Sequence, residues 1–125
     1  MKVGIDYHGV LDTHPFFKEM AALFVGAGHE VHLITGAQFN DRFKNKLKKL
    51  GIEEAVHYTH FFSISCHLVE NNTDVRWEDS ENPWFPDEVW NAAKAEYCRE
   101  HNIDMHFDDT EVYSETFTTP FYLRK

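Results

Sequence analysis

The chain has 125 residues, enough to bury one core and too few for two, so a single domain over 1–125 is expected. Hydrophobic residues make up 42% of it and aromatics 15%, which excludes a disordered chain. A formal charge of −9 argues against a general nucleic-acid coat or an anionic-membrane binder and favours small cationic partners, divalent metals among them. No charged leader opens the sequence and no apolar stretch reaches spanning length, so a soluble, cytoplasmic protein without a membrane partner is expected. Cys66 and Cys98 lie far apart and outside any metal-like spacing, and read as reduced structural thiols.

In chain order, "KVGID" is a short apolar run ending in an acid and predicts a buried strand. Thr13, His14 and Pro15 supply a helix start, after which Phe16, Met20, Leu23, Phe24 and Ala27 recur at helical spacing up to Gly28. "EVHLIT" predicts a second strand, and "AQFNDRFKNKLKKLG" a second helix with Phe39, Phe43, Leu47 and Leu50 on one face. "AVHYTHF" reads as a third strand, "DEVWNAAKAEYCREHN" as a third helix and "DMHFD" as a fourth strand. "FTTPFYL" reads as a fifth strand that Pro120 confines to an edge. The stretch from about 62 to 86 fits no clean period; "ENNTD" looks like a turn between hairpin arms "ISCHLV" and "VRW", making an irregular insertion or small lid. Strands alternating with helices predict an α/β fold with a doubly wound, mostly parallel, Rossmann-like sheet.

In such a sheet, ligands bind outside the carboxyl ends of the strands, where strand order reverses. The residues ending the predicted strands are Asp6, Thr35 and the pair Asp108 and Asp109. Three carboxylates at one rim repel one another unless a cation sits among them, and Mg2+ suits an all-oxygen set that also takes substrate phosphate. Asp6 is then a candidate oxygen nucleophile. Asp12 reads as support for the loop or the helix start rather than for the reaction. Taken singly, each acid is equally an ordinary cap or turn residue; their joint placement carries the functional reading. His57 and His60 in "HYTH" are not expected to bind zinc, because on a strand that spacing puts them on opposite faces. The basic run "RFKNKLKK" reads most simply as the solvated face of the second helix, the alternative being local guidance of an anionic substrate.

The order and type of "IDYHGVLD", "LITG" and "HFDDT" resemble the first, second and fourth motifs of the haloacid dehalogenase-like (HAD) superfamily, and the resemblance spans nearly the whole chain. It implies a HAD-type fold and a magnesium-dependent phosphohydrolase acting on a phosphate monoester. It further implies that Asp6 attacks phosphorus to give an aspartyl-phosphate that water hydrolyses. Thr35 and the backbone amide of Gly36 would hydrogen-bond the transferring phosphoryl group, and Gly9 would occupy the tight winding after the nucleophile. Asp108 would bind magnesium directly, Asp109 directly or through water. Lys94, in the helix before the fourth strand, is the candidate third-motif lysine that neutralises nucleophile and phosphate; the alternative is an exposed helical lysine.

His8 departs from the family pattern, which places a second aspartate there as general acid and base. Its backbone carbonyl would still ligate the metal alongside Asp6, and an imidazole has a pKa suited to acid–base work. With no large cap after the first strand, the site is open. It suits a small phosphorylated substrate, such as a nucleotide, or a polymer phosphate end, or requires a neighbouring subunit of a homo-oligomer to cover it. Because of His8, the competing reading is a catalytically impaired module that binds metal and a phosphorylated ligand or protein partner. A phosphorylatable receiver domain ranks last, since its acidic pair would follow the first strand rather than the fourth.

Overall fold

The computed structural model describes residues 1–71, 76–79 and 82–125. Its main sheet has five strands, β1 (Lys2–Asp6), β2 (Glu30–Thr35), β3 (His60–Ser63), β6 (Met105–Asp108) and β7 (Phe121–Leu123), ordered β3-β2-β1-β6-β7. All four neighbouring pairs are parallel. The chain winds outward from β1 through β2 to β3, then returns to the other side of β1 with β6. The reversal therefore falls between β1 and β6, where the register pairs Ile5 with Phe107 and sets Asp6 level with Asp108.

Helices α1 (Pro15–Gly26) and α2 (Asp41–Leu50) cover one face, where Phe17, Ala21, Phe43 and Leu47 pack with Val3, Ile5, Val31 and Leu33. Helix α4 (Asp87–Glu100) covers the other, with Tyr97 and Cys98 against Ile34. Each fully buried aliphatic chain of this kind contributes about 1.5–3 kcal/mol, and β1 and β2 supply several of them, Val3, Ile5, Val31, Leu33 and Ile34. The doubly wound parallel α/β sheet predicted from the sequence is thus present, and Pro120 precedes an edge strand as expected. Among the described residues no helix is long and apolar enough to cross a membrane.

Several local expectations shift. In α1 the buried residues are Phe17 and Ala21, while Phe16 and Leu23 are exposed; "PFFKEMAALFVG" is apolar on several sides, and contact with the sheet selects the face. Phe39 precedes α2 rather than joining it, because Asn40 caps the helix there by accepting a hydrogen bond from Phe43 N at 3.0 Å. The third strand begins at His60, since residues 55–57 form a turn in which His57 Nδ1 accepts from Glu53 N at 3.0 Å.

The segment 62–86 holds the end of β3, helix α3 (Ile64–Glu70) and an antiparallel hairpin of β4 (Arg76–Asp79) with β5 (Asn82–Trp84). "ISCHLV", expected as a hairpin arm, is therefore helical: Ser63 caps it by accepting from Cys66 N at 3.1 Å, and Ile64 and Leu68 pack with Phe85 and Ala93. Arg76 and Trp77 of "VRW" do lie in a hairpin arm, whereas most of the predicted "ENNTD" turn lies outside the described residues. Cys66 and Cys98 are both unpaired thiols.

Candidate functional site

Strand β1 delivers Asp6 to the carboxyl edge of the sheet, and the chain then turns sharply through Tyr7–Leu11. His8 is extended there and Gly9 takes a left-handed φ of +78°. Gly9 is required twice over: L residues avoid that conformation, and a Cβ would stand 1.8 Å from Asp109 Oδ2. Asp12 closes the turn by accepting from Gly9 N at 2.8 Å, the supporting part its position suggests.

Beneath this turn, Lys94 from α4 bridges the two central strands. Its Nζ donates to Asp6 Oδ1 at 2.9 Å and to Asp108 Oδ2 at 2.8 Å, and all three residues are buried. The exposed-lysine alternative is excluded, since Lys94 is 2% exposed. Nζ also lies 4.7 Å from the centroid of the Tyr113 ring, whose face favours a cation. His106 Nε2 donates to Asp108 Oδ2 at 2.8 Å, leaving its buried Nδ1 without a partner. The other Asp108 oxygen accepts from the backbone N–H groups of Asp109 and Thr110, at 2.9 and 3.1 Å. Asp108 therefore receives four hydrogen bonds and holds Lys94 in place, while the exposed Asp109 stands over it at the rim.

These surroundings split the carboxylates. Burial pushes the Asp6 carboxyl up to about 7; Lys94 opposes the shift, and the nearby charges of Asp108 and Asp109 reinforce it. Burial also works against ionising Asp108, but the His106 hydrogen bond and the Lys94 charge outweigh it and hold that carboxyl down at about 2. Lys94 is raised: its burial is outweighed by the two carboxylates it touches.

The network opens into a cleft of about 580 Å3. Asp6, His8, Gly36, Lys94 and Asp109 all line it, whereas Thr35 and Asp108 lie fully buried behind its wall. Thr35 Oγ1 accepts from Ala37 N at 3.2 Å and so shapes the loop that presents Gly36. His8 is largely exposed, with Nδ1 3.5 Å from Asp12 Oδ2. The cleft is also lined by Trp90, which packs against Gly36 and whose Nε1 donates to Tyr113 Oη at 3.0 Å, and by the cationic pair Arg42 and Lys46, one helical turn apart on α2. The basic run is therefore more than a solvated face, because two of its members border the cleft. Oxygens of Asp6, Asp108 and Asp109 all lie within 4.8 Å of one another, a spacing compatible with one shared cation.

His106, Trp90 and Tyr113 are parts of this site that sequence reasoning misses. A signal exists only for His106: in "MHFD" it stands two residues from Asp108, and alternate residues of a strand share a face. Comparison with protein-family models, with curated proteins and with solved structures finds no match for this chain.

Proposed function

We propose that the chain is a magnesium-dependent phosphohydrolase of HAD type, acting on a phosphate monoester through an aspartyl-phosphate on Asp6. The observation that carries this reading is the buried Asp6–Lys94–Asp108 network, open to a cleft at the carboxyl edge of a parallel sheet with Asp109 at its rim.

The residues present fit a divalent cation. Three carboxylates with oxygens within 4.8 Å face one ammonium group, so full ionisation leaves two negative charges uncompensated. The raised pKa of Asp6 is the consequence of its burial and of those neighbours. An all-oxygen donor set suits Mg2+. Asp6 and Asp109 would hold it together with the His8 carbonyl that the resemblance implies, and Asp108, whose oxygens already accept four hydrogen bonds, would act mainly by positioning Lys94. When bound, the ion supplies charge neutralisation for the phosphoryl oxygens and favours the ionised form of Asp6.

In the first step an Asp6 oxygen bonds to phosphorus while the ester P–O bond breaks, and the leaving oxygen takes a proton from the His8 imidazolium. Water then attacks the phosphorus, its proton passes to neutral His8, and the bond to Asp6 breaks to release phosphate. Lys94 compensates the charge of the nucleophile throughout, and the backbone N–H of Gly36 offers a hydrogen bond to the transferring group. Arg42 and Lys46 favour an anionic substrate such as a nucleotide or a polymer phosphate end.

The exposure of His8 and its 3.5 Å distance from Asp12 favour one second reading, a module that binds metal and a phosphorylated ligand or protein partner without turnover. A panel of alkyl and aryl phosphate esters with and without magnesium distinguishes the two. Magnesium-dependent phosphate release is expected from the native chain, and Asp6→Asn should lower it on the order of 10³-fold or more. Activity retained in Asp6→Asn removes the nucleophile assignment. An inactive native chain that gains turnover with His8→Asp establishes the binding module.

A further inference from the structure

We propose that Glu30, His32 and His60 form a binding site for one divalent transition-metal ion of the zinc class, at the opposite end of the sheet from the cleft. Glu30 opens β2 and His60 opens β3, whereas Thr35 and Ser63 end those strands on the cleft side. The parallel register places His32 beside His60 on one face, and Glu30, two residues before His32, shares that face. "HYTH" offers His60 only His57 as a sequence neighbour; the topology gives it His32 instead.

One donor atom from each of the three residues lies within 4.8 Å of the others. His32 Nε2 is 3.0 Å from Glu30 Oε1, and the same oxygen is 3.8 Å from His60 Nδ1. Two imidazoles and a carboxylate match zinc-type sites that keep a further position for water, and nitrogen donors disfavour magnesium. His32 is buried and anchored from behind, with its Nδ1 2.7 Å from Tyr97 Oη. A second partner of this kind fixes the orientation of a metal-bound imidazole. Neutral His32 carries one ring proton, so on binding it takes the tautomer with that proton on Nδ1, donated to Tyr97 Oη, and Nε2 gives up its contact with Glu30 to face the ion with no net proton released.

Glu30 and His60 are about half exposed, so the site has an entrance. The His32 and His60 rings stack at 4.3 Å with an interplanar angle of 6°, so binding requires the exposed His60 to rotate out of the stack and give up the 2.8 Å contact of its Nδ1 with Thr59 Oγ1. His101, whose ring lies 6.0 Å from that of His32, is the other imidazole near the site.

Calorimetric titration of the full chain with zinc, in excess magnesium to occupy the acidic cleft, tests the site. Saturable binding of one ion is expected, with affinity falling about tenfold or more in His60→Ala and in Glu30→Gln, and about tenfold in Tyr97→Phe. Asp109→Asn should leave zinc binding unchanged. Cobalt should give visible absorption in the native chain that His60→Ala loses, and thermal melts of the two surface variants establish that they fold. Absence of saturable zinc binding overturns the proposal and leaves an ordinary Glu–His pair. Affinity unchanged in both His60→Ala and Glu30→Gln, or lost only in Asp109→Asn, overturns it as well.

Discussion

At the scale of single residues, Gly9 shows how tightly the candidate site is built. Its φ of +78° and the 1.8 Å approach of a Cβ to Asp109 Oδ2 are separate constraints, one on the backbone and one on the rim carboxylate. Gly28, at φ +89° with open space around it, carries the first constraint alone. Gly9→Ala and Gly28→Ala should therefore each lose roughly 1–2 kcal/mol in urea denaturation, since both force an L residue into the left-handed region. Only Gly9→Ala should also weaken magnesium binding measured by calorimetry, by about tenfold or more, because Asp109 must move. Equal magnesium affinity in the two variants would show that Asp109 is no ligand. The sequence already marked Asp6, Asp108 and Asp109, because acids at strand ends are local features, and the family resemblance added Gly9. It could not mark Lys94 as buried: a lysine within "NAAKAEY" looks the same whether its helix turns it outward or between two aspartates 88 and 14 residues away.

At the scale of elements, the strands that form the middle of the sheet were legible because each is an apolar run flanked by polar residues, whatever its partners. Elements whose boundaries depend on capping or pairing were less so. The short apolar stretch "ISCHLV" suits a strand by composition, but the Ser63 cap and the packing of Ile64 and Leu68 make it a helix. "AVHYTHF" shifted because β3 starts where pairing with β2 begins, at His32 with His60. Capping also governs α2, the helix that brings Phe43, Arg42 and Lys46 to the cleft. Asn40 Oδ1 accepts from Phe43 N at 3.0 Å, and Gly51 closes the other end in the left-handed region. Asn40→Ala should cost about 1 kcal/mol, read as a lower denaturation midpoint with unchanged slope, whereas Asn40→Asp should retain most of the stability. A loss of equal size in both would mean that the cap contributes through something other than its side-chain oxygen.

At the scale of the whole molecule, the doubly wound topology gathers Asp6, Lys94 and Asp108 from distant parts of the chain into one buried network, and its protonation should be readable in global stability. In the metal-free protein, Asp6 is raised from 3.8 to about 7, above its unfolded value, so its contribution is full below about pH 4 and is lost as pH rises toward 7. Asp108, lowered to about 2, contributes above about pH 4, and that contribution is lost as pH falls toward 2. Saturating magnesium cancels the first trend, because it requires ionised Asp6 and must displace the Asp6 proton below pH 7. One proton released per ion means that magnesium affinity should weaken about tenfold for each pH unit below 7 and level off above it. The gain in melting temperature on adding magnesium should grow from pH 5 to about pH 7 in step and then level off. Asp6→Asn removes the titrating group, so the variant should show weaker binding whose residual pH dependence is nearly flat over that range. Calorimetric titration at several pH values checks this directly: a native protein with pH-independent magnesium affinity between 5 and 7 would mean either that Lys94 alone keeps Asp6 ionised or that the ion does not bind at its oxygen. A pH dependence that persists unchanged in Asp6→Asn would instead place the coupled proton on another group and separate the metal site from the nucleophile.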